Sequence, residues 1–295
     1  MVRGSGPRFS TFSAVNHFLL VLMAMVTIVP LYYVVIVSFA SYEQVISRTI
    51  YLFPTSLDFS AYEVILRGAG VIRAFLISTL VTVLGTVYSM AMSVSAGYAL
   101  SKKYLPGRNA ILTGIVFTMF FSGGLIPYYV IIRGLGLINS LWVLILPLGI
   151  NTFYLIILKN WFLTIPQSLE ESAKIDGAND IYILYKIVLP VAAPILATIS
   201  LFYAVDRWNE WWHALLFITD QRKLPLQNLL REVLARVSQS IGTEMGRTIA
   251  AMRRPIYTQA VRMAIVVITC VPIIAVYPFL QKHFTKGIII GSIKG

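Results

Sequence analysis

The sequence predicts an all-α membrane protein with six transmembrane helices. Of its 295 residues, 58% are hydrophobic and 12% are charged, and the mean hydropathy is +0.79. Soluble domains average roughly 45–50% apolar and about 25% charged residues. Several long stretches lack Asp, Glu, Lys and Arg, and each supplies the roughly 20 residues that cross a ~30 Å hydrocarbon core. We therefore predict one membrane domain, residues 1–295, with spans at about 17–40, 74–101, 109–132, 137–160, 187–206 and 262–281.

Basic residues in the short connections predict the orientation, because cytoplasmic loops carry an excess of Lys and Arg. Such residues precede the first span, separate the second from the third and follow the sixth: Arg3, Arg8, Lys102, Lys103, Arg108, Lys282, Lys286 and Lys294. These connections share one side of a six-span protein, so both termini are predicted to be cytoplasmic. The predicted external segment, residues 207–261, has a basic excess of its own, but its length is near the limit at which the rule loses force.

The first elements carry local signals. The first charge-free run is too long for the roughly 7–15 residue core of a signal peptide, so we predict that it is retained as a helix. In the following loop, Ser60-x-x-Glu63 is a capping box that predicts a short helix. The second span carries Ser89, Ser93 and Gly97 at four-residue spacing, a pattern that lets helix backbones approach closely in lipid.

Prolines predict distortions in the later spans. Pro127 and Pro147 are expected to bend or end the third and fourth spans, and Pro190 and Pro194 the fifth. A tight turn joins the third and fourth spans, which makes them antiparallel neighbours. Beyond the fifth span, apolar residues at helical spacing predict an amphipathic helix over 226–237. Two interpretations of this helix stay open: it lies in the membrane interface, or it docks an external partner.

A run between the fourth and fifth spans is the most informative part of the chain. Ser168-x-x-Glu171 is a capping box that predicts the start of a short helix, and Gly177 supplies the left-handed residue that ends it. A second short helix is predicted to follow Asn179 or Asp180. Its apolar positions form one stripe at helical spacing, namely Ile181, Leu184, Tyr185 and Val188. Two short helices joined by a glycine form a compact protrusion that suits a protein contact.

Several function classes lack their motifs in this sequence. There is no phosphate-binding Gly-x-x-x-x-Gly-Lys-Ser/Thr loop, no Gly-x-Ser-x-Gly elbow and no His-Glu-x-x-His, so the chain is not predicted to be an enzyme. His17, His213 and His283 lie far apart, so no metal site and no cofactor are predicted. No soluble basic domain is present for nucleic acid, and anionic lipid explains the net charge of +12. No span has Asp, Glu, Lys or Arg at its middle, which argues that another subunit powers any active transport.

One motif resembles a known family. Glu171-Ser-Ala173, three residues, Gly177, nine residues, Ile187, one residue and Leu189-Pro190 resemble the cytoplasmic signature of binding-protein-dependent ABC importer permeases, E-A-A, x3, G, x9, I, x, L-P. The one departure is Ser172 in place of the usual alanine, and both residues are small. The resemblance implies the type I permease fold of these importers, with the segment 165–186 as a cytoplasmic coupling loop.

Further segments resemble the carbohydrate branch of this family. The C-terminal run Phe284-x-Lys-Gly287-x3-Gly291-x2-Lys-Gly295 is similar to the tail of the smaller permease subunit of maltose-type importers. Lys223-Leu-Pro-Leu-Gln227 and the Trp208-Asn209-x-Trp211 pattern resemble a subgroup that handles complex or uronate-containing oligosaccharides such as alginate. Together these segments extend the resemblance over nearly the whole chain.

The resemblance implies a division of labour among subunits. A second permease subunit completes a heterodimeric pore, two ATP-binding cassette subunits bind and hydrolyse ATP with Mg²⁺, and a solute-binding protein delivers the sugar. The positions of this sequence that match the family motif are expected to contact an ATPase subunit: Glu170, Glu171, Ser172, Ala173, Asp176, Gly177 and Ala178. The resemblance also implies that the C-terminal tail reaches between the ATPase subunits, with contacts from Lys286, Gly287, Gly291 and Lys294. The alternative is a frayed terminus.

Candidates for the substrate pathway lie at the predicted outer end of the fifth span: Tyr203, Trp208, Asn209, Trp211 and Trp212. Their aromatic rings could stack on sugar faces or form an aromatic belt at the membrane interface. The external segment adds basic residues that suit an acidic oligosaccharide, an acidic binding protein or anionic lipid: Arg207, Arg222, Lys223, Arg231, Arg236, Arg247, Arg253 and Arg254.

The function predicted from the sequence is an alternating-access permease subunit of an ATP-driven oligosaccharide importer in a bacterial inner membrane. The alternative is a passive channel or membrane scaffold that only docks a cytoplasmic partner. Copurification with an ATPase that hydrolyses ATP when the binding protein is loaded distinguishes the two.

Overall fold

A computed structural model describes the backbone of residues 11–41, 56–68, 70–236 and 258–292, and their side chains except at 11, 236, 258 and 277–292. Within these ranges the chain forms helices and turns and contains no β-strand, as predicted. The α-helices are Thr11–Ser38 (α1), Ser60–Arg67 (α2), Val71–Ser101 (α3), Arg108–Phe120 (α4), Leu125–Gly134 (α5), Thr152–Phe162 (α6), Gln167–Ile175 (α7), Asp180–Ile183 (α8), Leu189–Val191 (α9), Ala193–Trp208 (α10), Trp212–Phe217 (α11), Leu226–Arg236 (α12) and Thr258–Ser292 (α13). Leu184–Val188 forms a π-helical turn, and Leu141–Leu144 and Gln221–Lys223 form 3₁₀ turns.

The chain divides into two compact units, residues 1–69 with 233–270 and residues 70–232 with 271–295. In the first unit, most apolar side chains of α1 are exposed, as expected for a helix whose solvent is lipid. The helix ends at a small cluster in which Phe39 stacks on Tyr62 and Ser38 Oγ lies 2.7 Å from the Tyr62 hydroxyl. The predicted cap of α2 is wrong by two residues, because the Asp58 carboxylate, not Ser60, accepts the backbone N–H at the helix start. The single-domain prediction stays a prediction.

The second unit is built around α3, a 31-residue helix that packs against α6 and α10. The predicted stripe of small residues lies in these interfaces. Ser89 and Ser93 are fully buried. A Cβ added at Gly97 would lie 3.4 Å from both Leu158 Cβ and the backbone nitrogen of Lys159. Close backbone approach, as the spacing predicted, therefore explains the small side chains on this face of α3.

The predicted spans after α3 are interrupted. In place of a continuous third span, α4 and α5 meet at 117° across residues 121–124, ahead of Pro127 rather than at it. The predicted fourth span, 137–160, is wrong as a single helix: it holds a 3₁₀ turn, an irregular stretch that includes Pro147, and then α6. The fifth bends by 87° at Ala192, between Pro190 and Pro194, as those prolines predicted.

The number of membrane spans depends on how these broken helices are counted. Among the described residues, three helices are each long and apolar enough to cross a membrane, and the number is five if each bent pair counts as one span. The last of these helices, α13, extends beyond the predicted sixth span at both ends. The protein is thus a multi-pass helical membrane protein in which length and charge alone do not reveal where the helices break. The count of six spans stays a prediction.

Candidate coupling and pathway sites

The segment 165–186 begins with α7, a helix in which no residue is buried. The predicted capping box is wrong, because no side chain caps this helix. Pro166 precedes the first helical residue and places Ser168 inside the first turn. There the Ser168 carbonyl accepts a hydrogen bond of 2.8 Å from Ser172 Oγ. Pro166 occupies the N-cap position with ψ 128° and has no side-chain oxygen to act as a cap, so the helix begins at Gln167, before the serine.

Gly177 ends α7 as predicted. Its φ is +81°, in the left-handed region. The Gly177 N–H donates to the Lys174 carbonyl at 3.0 Å and the Ala178 N–H to the Ala173 carbonyl at 2.9 Å. This pair of bonds is the Schellman arrangement, which satisfies carbonyls at a helix end. The second helix, α8, follows Asn179, one of the two predicted positions, and the Asn179 side-chain oxygen caps it by accepting from the Tyr182 N–H at 2.8 Å.

The protrusion exposes apolar side chains. Ile175 is 86% exposed and Ile181 is 70% exposed. The predicted apolar stripe is correct for Leu184 and Val188, which are buried, but Ile181 and Tyr185 point outward and Ile183 is buried instead. The physical reason is the π-helical turn that follows α8, because its wider turn breaks the 3.6-residue register on which the stripe was predicted.

The acidic residues of the protrusion have different surroundings. Glu170 is largely buried and forms an ion pair with Lys102 at the end of α3. Glu171 and Asp176 are exposed, and neither forms an ion pair within the described part of the chain. Lys174 lies 2.9 Å from the Asp180 carboxylate, a hydrogen bond that raises the pKa of the Lys174 ammonium. The carboxylates available to a partner are therefore Glu171 and Asp176, not Glu170.

The small residues of the protrusion face their own chain. Ala173 and Ala178 are half-buried and pack on a hydrophobic cluster that includes Leu158, Phe162 and Ile183. Ser172 is exposed. In the predicted tail contact, the backbones of Lys286, Gly287 and Gly291 belong to α13, while their side chains and Lys294 lie outside the described residues.

The predicted pathway residues do not form one surface. Tyr203 and Trp208 are buried in helix packing, and the Trp208 ring meets Phe75 edge to face at 5.7 Å. Asn209 is exposed, but its amide donates to the Val205 carbonyl at 2.9 Å and accepts from Gln227 at 3.1 Å. In this conformation, neither buried ring has a free face for a sugar.

The remaining tryptophans are more accessible. Trp212 is 46% exposed and lies edge to face with Trp211 at 5.4 Å. The guanidinium carbon of Arg231 lies 3.4 Å from a ring centroid of Trp211, a cation–π contact. Arg231 belongs to α12, which confirms a helix over the predicted amphipathic segment. These contacts fasten α12 to the turn between α10 and α11.

Arg207 was predicted to be part of the external basic surface, and this is wrong. Its side chain is buried, with only 4% of the residue exposed. One terminal nitrogen donates to the Leu144 carbonyl at 3.0 Å, and the other donates to Ser89 Oγ at 2.8 Å and to the Leu148 carbonyl. Gly85 leaves room for this side chain, because a Cβ there would lie 3.0 Å from Arg207 Cδ and Nε.

The hydrogen bonds of Arg207 stabilise the part of the predicted fourth span that is not helical. Outside a helix, backbone groups at membrane depth must find other partners, because lipid offers none. Arg207 satisfies carbonyls at the start of this stretch, and Tyr203 acts at its end. The Tyr203 hydroxyl accepts from the Asn151 N–H at 2.9 Å and lies 2.6 Å from Ser93 Oγ. Two side chains of α10 thus stabilise a broken span.

Tyr203→Phe should destabilise the protein by about 1–3 kcal/mol, because it removes the part-buried bond from the Asn151 N–H and leaves the buried Ser93 hydroxyl without this partner. The measurement is thermal unfolding of the purified protein in detergent. Tyr129→Phe is the matched control, since that ring is 40% exposed. Equal melting temperatures for the two variants would show that the Tyr203 hydroxyl is not needed.

Other charged residues of the region have local partners. Lys223 Nζ donates to the Asn139 carbonyl at 2.7 Å, whereas Arg222 is exposed. The His213 N–H donates to Glu210 at 2.8 Å. Burial raises the pKa of the Glu210 carboxyl, but contacts with the His213 ring and N–H outweigh burial and bring the pKa below its usual value. The Arg236 side chain, Arg247, Arg253 and Arg254 lie outside the described residues.

No model of a known protein family matches the chain, but whole proteins do. It is 44% identical over 284 residues to the polygalacturonan/rhamnogalacturonan transport system permease protein YtcP of Bacillus subtilis, covering 96% of this chain and 98% of that protein. It is 42% identical to protein LplC of the same organism, covering 92% and 90%. The crystal structure of a bacterial ABC transporter involved in the import of the acidic polysaccharide alginate contains a chain that superposes with a TM-score of 0.87 at 34% identity, covering 95% of this chain and all of that one. The chain belongs to the sugar ABC importer permeases.

In this permease, the burial of the Arg207 side chain is the feature that the sequence indicated least. A charged residue next to a span is usually assigned to the interface, because charge is costly in lipid. The sequence contained one relevant signal, the predicted stripe of Ser89, Ser93 and Gly97 on one face of α3, which Gly85 extends by one turn. That stripe predicted close helix packing, whereas in the permease Gly85 and Ser89 accommodate a buried guanidinium. Asp206, the next residue back, accepts from the Tyr154 hydroxyl at 2.9 Å and was likewise not predicted as a site.

Proposed function

We propose that this permease couples to ATP-binding cassette subunits through residues 165–186 and forms a heterodimeric pore with a second permease subunit. The observation that carries the proposal is the exposed protrusion: most side chains of α7 face outward, and both Ile175 and Ile181 are largely exposed. A protein surface that exposes such side chains beside free carboxylates is suited to a partner with an apolar cleft rimmed by basic groups.

The chemistry of the protrusion favours a protein partner over lipid. Glu171 and Asp176 are exposed beside the apolar side chains, and anionic headgroups would repel them. A basic group of an ATPase subunit would instead make charge-assisted bonds with Glu171. On this proposal the protrusion and both termini are cytoplasmic, and the membrane is a bacterial inner membrane. The C-terminal residues from Lys286 onward would extend toward the ATPase subunits.

The mechanism proposed is alternating access. ATP and Mg²⁺ bind to the partner subunits, whose closure displaces the protrusion. The displacement would enter the bundle along α8, the π-helical turn and α9, up to the 87° bend at Ala192. Ala192 is fully buried and packs in the same cluster as Ile183 and Val188. Packed elements of this kind move between discrete arrangements rather than deforming gradually, as a two-state transporter requires.

We propose that the substrate is an oligosaccharide and that it carries uronic acid residues. YtcP is named for a polygalacturonan and rhamnogalacturonan transport system, and the alginate transporter imports an acidic polysaccharide. In this chain, Arg222 is exposed, Arg231 lies on the Trp211 ring, and Trp212, which meets Trp211 edge to face, is exposed. An aromatic face beside guanidinium groups suits a sugar ring that bears a carboxylate.

The deciding experiment is reconstitution of the complete transporter in vesicles with its solute-binding protein. We expect ATP hydrolysis to be stimulated by binding protein loaded with an oligogalacturonate, and labelled oligosaccharide to enter the vesicles. A neutral oligosaccharide of equal length is the matched control for the carboxylates. Copurification without stimulated ATP hydrolysis would instead support a passive channel or scaffold. Stimulation by the neutral sugar alone would contradict the acidic substrate and leave the importer assignment in place.

A further inference from the structure

A buried ion pair connects the protrusion directly to α3. Lys102 Nζ bonds the Glu170 carboxylate, and the two side chains are only 11% and 15% exposed. The same ammonium lies 3.9 Å from the centroid of the Tyr98 ring, one turn back along α3. That ring in turn meets Phe162 of α6 edge to face at 6.0 Å. The ammonium is thus held between a carboxylate of α7 and an aromatic face of α3.

A second ion pair lies nearby but is open to solvent. Lys174 and Asp180 are 2.9 Å apart, and their side chains are 43% and 52% exposed. Tyr104, from the turn after α3, donates to Asp180 at 3.3 Å. Exposed pairs are weak, because water screens them and flexible side chains must be ordered. Of the two connections, the Lys102–Glu170 pair is therefore the one that fixes the position of α7.

The position of α7 depends on few other contacts. Apart from the largely buried Glu170, no residue of α7 is enclosed by the protein, and only Ala173 of this helix packs against the hydrophobic cluster beneath it. A side chain as small as alanine would let α7 slide over this cluster. An ion pair in a buried setting is far more restrictive, since breaking it leaves an uncompensated charge out of water. On the other side of the pair, α3 packs against both α6 and α10.

We infer that Lys102 is a positioning residue for coupling: its buried pair with Glu170 fixes the orientation of α7 and passes its displacement to α3. This route is separate from the covalent path through α8 and α9, which leads to α10. The inference rests on the proposed function, because it assumes that an ATPase subunit displaces α7. Lys102 acts through the helix that it holds.

A double-mutant cycle tests the pair in the complete reconstituted transporter. The variants are Lys102→Gln, Glu170→Gln and both together. Lys102→Arg keeps the charge and the contact with the Tyr98 ring. Lys103→Gln is the matched control, because Lys103 is the neighbouring lysine and is exposed. Two quantities are measured: sugar imported per ATP hydrolysed, and hydrogen exchange of the α7 amides in the same vesicles.

We expect each single Gln variant to lower import per ATP about tenfold and to speed exchange of the α7 amides. The double variant should be no worse than either single one, since contacting residues are not additive. Lys102→Arg and Lys103→Gln should match the unmodified transporter. Single variants that change neither quantity would overturn the inference, as would additive losses in the double variant or faster exchange with unchanged import per ATP. If the unmodified transporter shows no stimulated ATP hydrolysis, the proposed function fails, and unchanged exchange in the single variants then also overturns the inference.

Discussion

Replacing Arg207 by leucine is expected to destabilise the permease by about 2–5 kcal/mol. The carbonyl of Leu144, at the end of the 3₁₀ turn, and that of Leu148, in the irregular stretch, accept bonds from this guanidinium. Leucine fills much of the same space but donates nothing, so these groups would be left unsatisfied where lipid cannot replace the donor. The measurement is the melting temperature of the purified protein in detergent, together with its level in the membrane.

Control variants distinguish the loss of the Arg207 hydrogen bonds from the loss of its positive charge. Arg222→Leu removes an exposed arginine of the same region and should leave the melting temperature unchanged. Arg207→Lys keeps the charge but loses the planar fork that reaches two carbonyls and Ser89, so an intermediate loss is expected. Gly85→Ala should also be destabilising, because its methyl group would lie 3.0 Å from Arg207 Nε. A melting temperature for Arg207→Leu equal to that of Arg222→Leu would refute the role assigned to Arg207.

Gly177→Arg is expected to abolish stimulated ATP hydrolysis while the protein still inserts into the membrane. The φ of +81° makes any side chain at this position cost about 1–2 kcal/mol. Within the described residues no atom lies within 4 Å of the Cβ position, so the arginine would project into the space where an ATPase subunit is proposed to bind. Reconstituted vesicles with loaded binding protein provide the measurement.

Gly136→Arg is the matched control for this variant. Gly136 also has a positive φ, +67°, and also has open space at its Cβ position. It follows α5, away from the protrusion, so its variant should lose similar stability and keep stimulated ATP hydrolysis. Gly177→Asn adds a second comparison, because asparagine tolerates the left-handed region and is short. Full activity of Gly177→Arg, or equal loss of activity at Gly136, would contradict docking at the protrusion.

Features fixed by neighbouring residues could be predicted from the sequence. The left-handed turn at Gly177 and the cap at Asn179 depend only on residues within one or two turns. The bend of the fifth span followed from Pro190 and Pro194. The motif around Glu171 led to the correct family. Each of these depends on local backbone chemistry, which a single sequence carries.

Features fixed by distant residues could not be predicted. The charge-free interval 134–158 gives the length of a hydrophobic stretch. It does not show that backbone groups in this stretch are bonded by side chains of α10 instead of by their own helix. The burial of Arg207 depends on space beside Gly85, more than a hundred residues away. The sequence placed Glu170 in the protrusion but did not indicate that it forms an ion pair with Lys102. The outward position of Ile181 depends on a π-helical turn with no distinct sequence signal.

The broken fourth span also constrains how the chain enters the membrane during synthesis. Arg207 follows Leu144 by 63 residues, and Tyr203 follows Asn151 by 52. When the ribosome has made residues 137–151, the side chains that bond their backbone do not yet exist. This stretch must therefore remain hydrated or held by the insertion machinery until α10 emerges. Biogenesis of the permease should depend on this delay, so a pause or truncation before residue 203 would leave a segment that lipid cannot accept.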